Sequence, residues 1–188
     1  EGYLDDLRAD VVFRTPGMRP DVPALLEAKA RGSIVTSEME IFFEVCPCTI
    51  IGVTGSDGKT TTTSIIAEML RAAGKTVYLG GNIGHPLLCD AEKMQPEDFA
   101  VVELSSFQLL DMKRSPHIAV MMNLAPNHLD VHKDMDEYIA AKENIYLHQH
   151  EGDIAIFNED NDITRSLSKK ASARTRLFSR REEVADGT

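Results

Sequence analysis

A short apolar run, a glycine turn and a Lys-Thr pair follow one another at residues 49–63, which read Thr-Ile-Ile-Gly-Val-Thr-Gly-Ser-Asp-Gly-Lys-Thr-Thr-Thr-Thr. The β-branched run predicts a buried strand, and Lys59-Thr60 predicts the start of a helix. Gly55 and Gly58 allow backbone N–H groups to approach an anion without an intervening Cβ. The helix N-terminus favours the same negative charge. This segment therefore predicts a strand, an anion-sized turn and a helix in direct succession.

The turn suits the phosphates of a nucleotide. Lys59 can reach β- and γ-phosphates, and the Thr60 hydroxyl can ligate Mg²⁺. The general phosphate-loop pattern has a glycine five residues before Gly58, where this chain has Val53, and any glycine-rich turn between a strand and a helix is the simpler alternative. We favour nucleotide triphosphate binding because of the Lys-Thr pair at the helix start. The predicted loop residues are Gly55, Ser56, Asp57, Gly58, Lys59, Thr60 and Thr61.

Composition limits the class of protein. The 188 residues are 43% hydrophobic and 27% charged, as in an ordinary globular protein, and the formal net charge is −10. The acidic balance argues against nucleic acid as a partner, and no apolar run has the length of a membrane span. Three cysteines fit a reducing compartment. We expect a cytoplasmic, monomeric protein without a nucleic-acid or membrane partner.

Strand and helix signals alternate along most of the chain, which predicts an α/β fold with a mostly parallel sheet and helices on both faces. Cys46-Pro47-Cys48 interrupts the pattern, and we interpret it as linker sequence because no second cysteine cluster accompanies it. We expect a partial domain at 1–47 and a nucleotide-binding domain at 48–188. The predicted strands are 10–14, 34–36, 49–54, 76–79, 99–104, 117–122, 153–157 and 175–178, and the predicted helices are 23–31, 38–44, 59–73, 134–150 and 160–171.

Candidate ligand-binding residues follow the predicted strands. Glu103 ends an apolar strand beside the expected phosphate loop, where a carboxylate could hold Mg²⁺. Asn82 lies in a glycine-rich turn that could approach a ligand or be a plain turn. His128 and His132 resemble a metal pair, but we do not predict a zinc site because no helix is indicated there. We expect His132 at the surface.

Lys142 lies within the apolar stripe of the predicted helix 134–150, next to Tyr138 and Ile139 on the same face. A lysine that faces a core either extends its ammonium group to solvent, pairs, or loses its charge. Extension to solvent is the first expectation from this helix alone. Burial would instead lower the pKa and give a neutral amine, which can add CO₂ to form a metal-ligating carbamate.

Taken together, these segments resemble the Mur ligase family, and within it the branch that adds D-glutamate. The run Glu-Leu-Ser-Ser-Phe-Gln-Leu indicates that branch, whereas the phosphate loop alone would also fit folylpolyglutamate synthetases. The matching segments are Thr15-Pro16-Gly17, the loop at 54–61, Gly80-Gly81-Asn82-Ile83-Gly84, Glu103-Leu104-Ser105-Ser106-Phe107-Gln108-Leu109, Asn127-His128-Leu129-Asp130 and Ala140-Ala141-Lys142.

The resemblance implies a role for each residue. Lys59 and the loop would bind ATP, Thr60 and Glu103 would hold one Mg²⁺, and His128 with a carbamylated Lys142 would hold a second. Asn82, Ser105 and His128 would contact the muramoyl-alanine substrate, and Asn158 would lie near the adenine. Lys59, Glu103, His128 and Lys142 would thus be the catalytic set.

The resemblance also implies the reaction and the extent of the chain. The family phosphorylates the terminal carboxylate of UDP-N-acetylmuramoyl-L-alanine with ATP, and the amine of D-glutamate then attacks the acyl phosphate. Parts of an N-terminal and a whole C-terminal domain would be missing, so we expect a fragment that is inactive alone. Two alternatives remain: a sister ligase for another amino acid, and a P-loop switch that hydrolyses nucleotide to change partners.

Overall fold

The computed structural model describes residues 4, 7–125, 132–185 and 187. Eight strands and six α-helices, with one 3₁₀ helix at Leu87–Lys93, form the described part of the chain. The strands are β1 Val11–Phe13, β2 Ile34–Thr36, β3 Thr49–Thr54, β4 Val77–Gly81, β5 Phe99–Glu103, β6 Ile118–Met121, β7 Ile154–Asn158 and β8 Arg174–Phe178. The helices are α1 Pro23–Ala30, α2 Glu38–Val45, α3 Lys59–Ala72, α4 Ser106–Leu109, α5 Met135–Glu143 and α6 Asp162–Ser168.

The main sheet has six strands in the order β4-β5-β3-β6-β7-β8, and every neighbouring pair is parallel. The predicted parallel sheet is thus confirmed. Its register aligns Val53 of β3 with Glu103 of β5, and Glu103 with Gly81 of β4. The carboxyl ends of these three strands therefore meet at one edge, which is where open parallel sheets bind ligands.

Helices cover both faces of this sheet, as the alternating pattern predicts. One face packs against α3, with Ala67 buried on Val53, Val101 and Val120. The opposite face carries the larger core, which includes Phe42 of α2 and Tyr138 of α5. Strands that are buried on both sides need apolar side chains in both directions, which explains the near-continuous hydrophobic runs of the sequence.

A separate two-stranded parallel sheet, β1-β2, precedes the main sheet. Arg14 follows β1 and is buried, and its guanidinium donates to the carbonyl oxygens of Met18 at 2.6 Å and Leu110 at 3.4 Å. Arg19 forms two hydrogen bonds with the Glu137 carboxylate on α5. These contacts join residues 7–47 to the remainder, while the proposed boundary near residue 47 stays a prediction.

The ends of several elements differ from the sequence-based prediction. Helix α5 ends at Glu143 rather than at residue 150, since Ile145 and Tyr146 donate to carbonyls three residues earlier and tighten the chain into turns. Strand β4 continues through Gly80 and Gly81, which the prediction assigned to the turn. The 3₁₀ helix and the four-residue α4 were not predicted. Among the described residues, no helix is long and apolar enough to cross a membrane.

Candidate active site

The glycine turn after β3 has the strained backbone that its sequence predicts. Gly55 has φ of 156° and Gly58 has φ of 77°, both in the region that favours glycine. A Cβ on Gly55 would lie 2.8 Å from Cβ of Met122 and 3.2 Å from the Asn123 nitrogen. A hydrogen bond to the segment after β6 also holds the turn in place, because the Asp57 N–H donates to the Asn123 side-chain oxygen at 2.9 Å.

Helix α3 begins at this turn without a side-chain cap. Its N-cap is Gly58, which has no side chain to accept from the first-turn N–H groups. Four other helices of the described chain each have such an acceptor at the N-cap. These acceptors are Ser37 of α2, Ser105 of α4, Asp134 of α5 and Asn161 of α6. The uncapped donors of α3 and its dipole are therefore directed at the glycine turn, as an anion site requires.

The Lys59 side chain folds back onto the same turn. Its Nζ donates to the carbonyl oxygens of Gly55 and Ser56, both at 2.9 Å. Since both acceptors belong to the turn, the ammonium group is already beside the place where an anion would meet the α3 N-terminus. Ser56 itself is buried, and its hydroxyl donates to the Ala125 carbonyl at 3.0 Å and contacts the Tyr138 hydroxyl.

Glu103 connects the phosphate-loop helix with the turn after β4. The Thr60 hydroxyl donates to one carboxylate oxygen at 2.6 Å, and the Asn82 amide donates to the other at 2.8 Å. Glu103 is 2% exposed. A buried carboxylate that accepts from a threonine hydroxyl and an amide is part of an oxygen set that suits Mg²⁺. The structure thus brings three predicted residues together.

Lys142 is buried in the same region. Its side chain is 1% exposed, so extension to solvent, the first expectation from the sequence, is wrong. The Nζ donates to the Thr54 hydroxyl at 3.1 Å and to the Gly55 carbonyl at 3.0 Å, and it lies 4.9 Å from the centre of the Tyr138 ring. Lys142 therefore reaches the phosphate loop from the opposite side to α3.

Burial, together with the nearby positive charge of Lys59, lowers the pKa of Lys142 to about 7, while the charge of Glu103 opposes the change. A substantial fraction of this amine is consequently neutral at physiological pH. Neutral amines are nucleophiles that add CO₂, so the condition for forming a carbamate is met by this position.

The remaining predicted residues have more varied surroundings. Ser105 and Gln108 form a capping box at the start of α4. The Ser105 hydroxyl accepts from the Gln108 N–H and donates to the Gln108 side-chain oxygen, so it is already hydrogen-bonded. Asn158 ends β7, and its side-chain oxygen accepts from the Asp160 N–H at 2.9 Å. Thr61 is exposed in the first turn of α3. His128 lies outside the described residues, so its role stays a prediction.

His132 corrects the prediction that it lies at the surface. It is 2% exposed, its ring stacks on Phe107, and its Nε2 is 2.9 Å from the Ser106 hydroxyl. Burial lowers its pKa, against the opposing charge of Glu137. Aromatic stacking and a hydroxyl partner make burial of a neutral imidazole favourable, and neither partner is visible from local sequence.

Tyr138 is a residue that sequence reasoning treated only as part of an apolar stripe. Its hydroxyl is 3.0 Å from that of Ser56, and its ring lies between Lys142 and His132. A tyrosine on a buried helix face needs a partner for its hydroxyl, which is the signal that could have indicated the contact.

These residues fit a nucleotide with Mg²⁺. The glycine turn leaves no room for a Cβ at Gly55, the α3 N-terminus has no cap, and Lys59 supplies a positive charge. Thr60 and Glu103 supply hard oxygen ligands. The donor set thus matches a phosphate group on one side and a divalent cation on the other.

Comparison with known proteins decides the family. The model of the Mur ligase middle domain matches residues 53–187. The chain belongs to the Mur ligase family. The match includes the phosphate loop, Glu103 and Lys142, so the site described above lies within the part that defines this family.

Curated Mur ligases resemble the whole chain closely. It is 54% identical over 188 residues to the UDP-N-acetylmuramoylalanine--D-glutamate ligase of Clostridium novyi (strain NT), a match that covers 100% of this chain and 41% of that protein. The ligase of the same name from Acetivibrio thermocellus is also 54% identical, and the match covers 100% of this chain and 40% of that protein. The chain therefore spans about two fifths of the length of these relatives.

Solved Mur ligase structures share the fold. The UDP-N-acetylmuramate:L-alanyl-gamma-D-glutamyl-meso-diaminopimelate ligase from Neisseria meningitides superimposes with a TM-score of 0.64 at 20% identity, covering 98% of this chain and 64% of that one. MurF from Acinetobacter baumannii gives a TM-score of 0.59 at 21% identity, and the superposition covers 81% of this chain and 37% of that one. At these identities the likeness concerns the fold.

Proposed function

We propose that this chain is the ATP-binding part of a ligase that adds D-glutamate to UDP-N-acetylmuramoyl-L-alanine in peptidoglycan synthesis. The single observation that supports it most is the 54% identity, over the whole chain, to ligases of that name. The site geometry agrees, because one sheet edge combines a glycine turn at a helix N-terminus, a buried carboxylate beside a threonine hydroxyl, and a buried lysine. A reaction that uses ATP and a UDP-linked precursor belongs in the cytoplasm, and we expect a monomer.

ATP would bind at the glycine turn, with its phosphates on the uncapped N-terminus of α3. Lys59, freed from the Gly55 and Ser56 carbonyls, would neutralise charge on the transferred phosphoryl group. Asn158 at the end of β7 would lie near the adenine. Gly55, Ser56, Asp57, Gly58, Thr60 and Thr61 complete the proposed nucleotide-binding set.

Two Mg²⁺ ions would supply Lewis-acid stabilisation of the phosphoryl and carboxyl oxygens. Thr60 and Glu103 would hold one ion, in place of the hydrogen bond that now joins them. His128 and a carbamylated Lys142 would hold the other. The low pKa of Lys142 supports the carbamate, since addition of CO₂ requires the neutral amine.

The substrate would lie on the Asn82 and Ser105 side of Glu103. Asn82 and Ser105 would orient the muramoyl-alanine part, together with His128, so that its terminal carboxylate faces the phosphate loop. The D-glutamate amine would attack the acyl phosphate, and inorganic phosphate would leave through a tetrahedral intermediate. Positioning of the two reactants supplies much of the rate enhancement in such a reaction.

Two alternatives lead to different outcomes. A sister ligase would use the same ATP site with another amino acid. A P-loop switch would hydrolyse nucleotide without an acceptor, and it would have no use for a buried lysine that contacts the loop. The Lys142 contacts with Thr54 and Gly55 therefore favour a ligase over a switch.

Phosphate release from ATP and Mg²⁺ by the full-length protein tests the proposal. UDP-N-acetylmuramoyl-L-alanine is supplied with D-glutamate, L-glutamate, L-alanine or no amino acid. We expect release only with D-glutamate, and no turnover from the 188-residue chain run in parallel. Dependence on another amino acid would identify a sister ligase, and release without the muramoyl substrate would identify a switch.

A further inference from the structure

Three sulfur atoms meet at the junction between α2 and β3, away from the phosphate loop. The Sγ atoms of Cys46 and Cys48 are 3.4 Å apart, and the Sδ of Met94 lies 3.8 Å from the first and 3.9 Å from the second. Met94 follows the 3₁₀ helix, 46 residues beyond Cys48 in the sequence. Two elements far apart in the chain thus supply one triangle of sulfur.

The triangle has the dimensions of a metal site. With edges of 3.4, 3.8 and 3.9 Å, the point equidistant from its corners lies about 2.1 Å from each sulfur, close to a metal–thiolate bond of about 2.3 Å. Only a small outward movement of the three side chains would reach that bond length. We propose that Cys46, Cys48 and Met94 form a binding site for a soft monovalent cation of the Cu(I) type.

The ligand chemistry decides which cation fits. Thiolate and thioether sulfur together select soft ions such as Cu(I), whereas structural zinc requires four ligands in a tetrahedron. Within the described ranges, no group of three or more His, Cys, Asp or Glu side chains could hold a metal, so these ranges offer Zn²⁺ no ligand set of its preferred kind here. A three-coordinate sulfur set is complete for Cu(I).

Burial and thiol acidity support the same site. Cys48 and Met94 are 2% and 3% exposed, while Cys46 is half-buried and gives the cation a path from solvent. The hydrogen bond with Cys48 lowers the pKa of Cys46 to about 7, and the same partnership with burial raises the pKa of Cys48. Binding of Cu⁺ displaces both thiol protons to solvent and leaves a complex of net charge −1, with no change of oxidation state.

The test is an anaerobic titration of the pre-reduced, full-length protein with Cu(I) held by a chromophoric chelator. Cys89 is exposed and is not one of the three sulfur ligands, so Cys89→Ser is the matched control. We expect Cys46→Ser to remove one bound equivalent, Met94→Leu to weaken that site by about tenfold or more, and Cys89→Ser to leave it unchanged. Circular dichroism confirms that each variant is folded.

X-ray absorption at the copper edge gives an independent readout. Three sulfur neighbours at about 2.3 Å would support the site, and the Met94→Leu variant should retain two of them. Equal binding by wild type and Cys46→Ser would overturn the proposal, as would loss of the site in Cys89→Ser. A Cys46–Cys48 disulfide that persists in the reduced protein, or a site that holds Zn²⁺ more tightly than Cu(I), would also overturn it.

Discussion

Lys59 of α3 and Lys142 of α5 donate to the same oxygen atom, the carbonyl of Gly55, at 2.9 and 3.0 Å. Two positive groups that converge on one acceptor repel each other, and Lys142 is the more deeply buried. The burial and the Lys59 charge together explain why the pKa of Lys142 falls to about 7. The phosphate loop therefore lies between a half-buried amine, that of Lys59, and a fully buried one, that of Lys142. We expect the two amines to have different roles because their surroundings differ.

The buried amine makes stability depend on pH. In the unfolded chain Lys142 titrates near its ordinary pKa of 10.5, so between about pH 7 and 10 the unfolded state binds more protons. Its contribution therefore makes the free energy of unfolding rise with pH, by up to about 1.4 kcal/mol per unit. Urea denaturation at pH 7 and 9 measures the slope. Lys142→Met should flatten it, and an equal slope in the variant would contradict the burial argument.

The carbamate proposal predicts chemical rescue. Lys142→Ala in the full-length protein should reduce turnover by at least about a hundredfold, because a metal-ligating carboxylate is lost. Acetate or formate can enter the space left by the side chain and restore part of the rate. Lys75, an exposed lysine in the connection between α3 and β4, provides the control as Lys75→Ala. Normal turnover by Lys142→Ala, without added carboxylate, would rule out the carbamate.

The sequence predicts the sheet and the phosphate loop well because their signals are local. The strand, the two glycines and the Lys-Thr pair are contiguous, and the observed φ values of Gly55 and Gly58 agree with them. The burial of Lys142 was an open alternative, since a helix face alone does not say whether an ammonium group reaches solvent. The packing of α5 on the phosphate loop decides it.

Residues that depend on distant partners were predicted less well. His132 is buried because Phe107 and Ser106 cover it, and both come from a segment that precedes it by about 25 residues. The sulfur triangle is similar, since Met94 has no sequence signal that connects it with Cys46. Local patterns indicate which side chains are polar, whereas tertiary packing decides which of them are buried.

Steric exclusion at the phosphate loop gives a third prediction. An alanine at Gly55 would place its Cβ 2.8 Å from Met122 and adopt an unfavourable positive φ, so Gly55→Ala should lower the free energy of unfolding by about 2–3 kcal/mol. Gly152 has open space around it, and Gly152→Ala should change stability by less than about 0.5 kcal/mol. Chemical denaturation compares the two, and equal effects would show that the turn tolerates a Cβ.

The Arg19–Glu137 pair predicts a measurable coupling between residues 7–47 and α5. The guanidinium and the carboxylate share two hydrogen bonds, at 3.0 and 2.8 Å, and the side chains are 25% and 19% exposed. A bidentate, charge-assisted ion pair contributes more interaction free energy than an ordinary surface ion pair. We therefore expect a coupling energy of about 1 kcal/mol at low salt. A double-mutant cycle with Arg19→Gln and Glu137→Gln measures it.

The same pair has a predictable response to salt and acid. The Arg19 hydrogen bonds, followed by that from the Lys133 N–H, lower the pKa of Glu137 to about 2. Its contribution is therefore present above the unfolded value of 4.5 and is lost as the pH falls toward 2. The stability difference between wild type and Glu137→Gln should shrink over that range, and added salt should reduce the coupling. A difference that stays constant from pH 6 to pH 3 would mean that the carboxylate charge contributes nothing to joining the two parts of the chain.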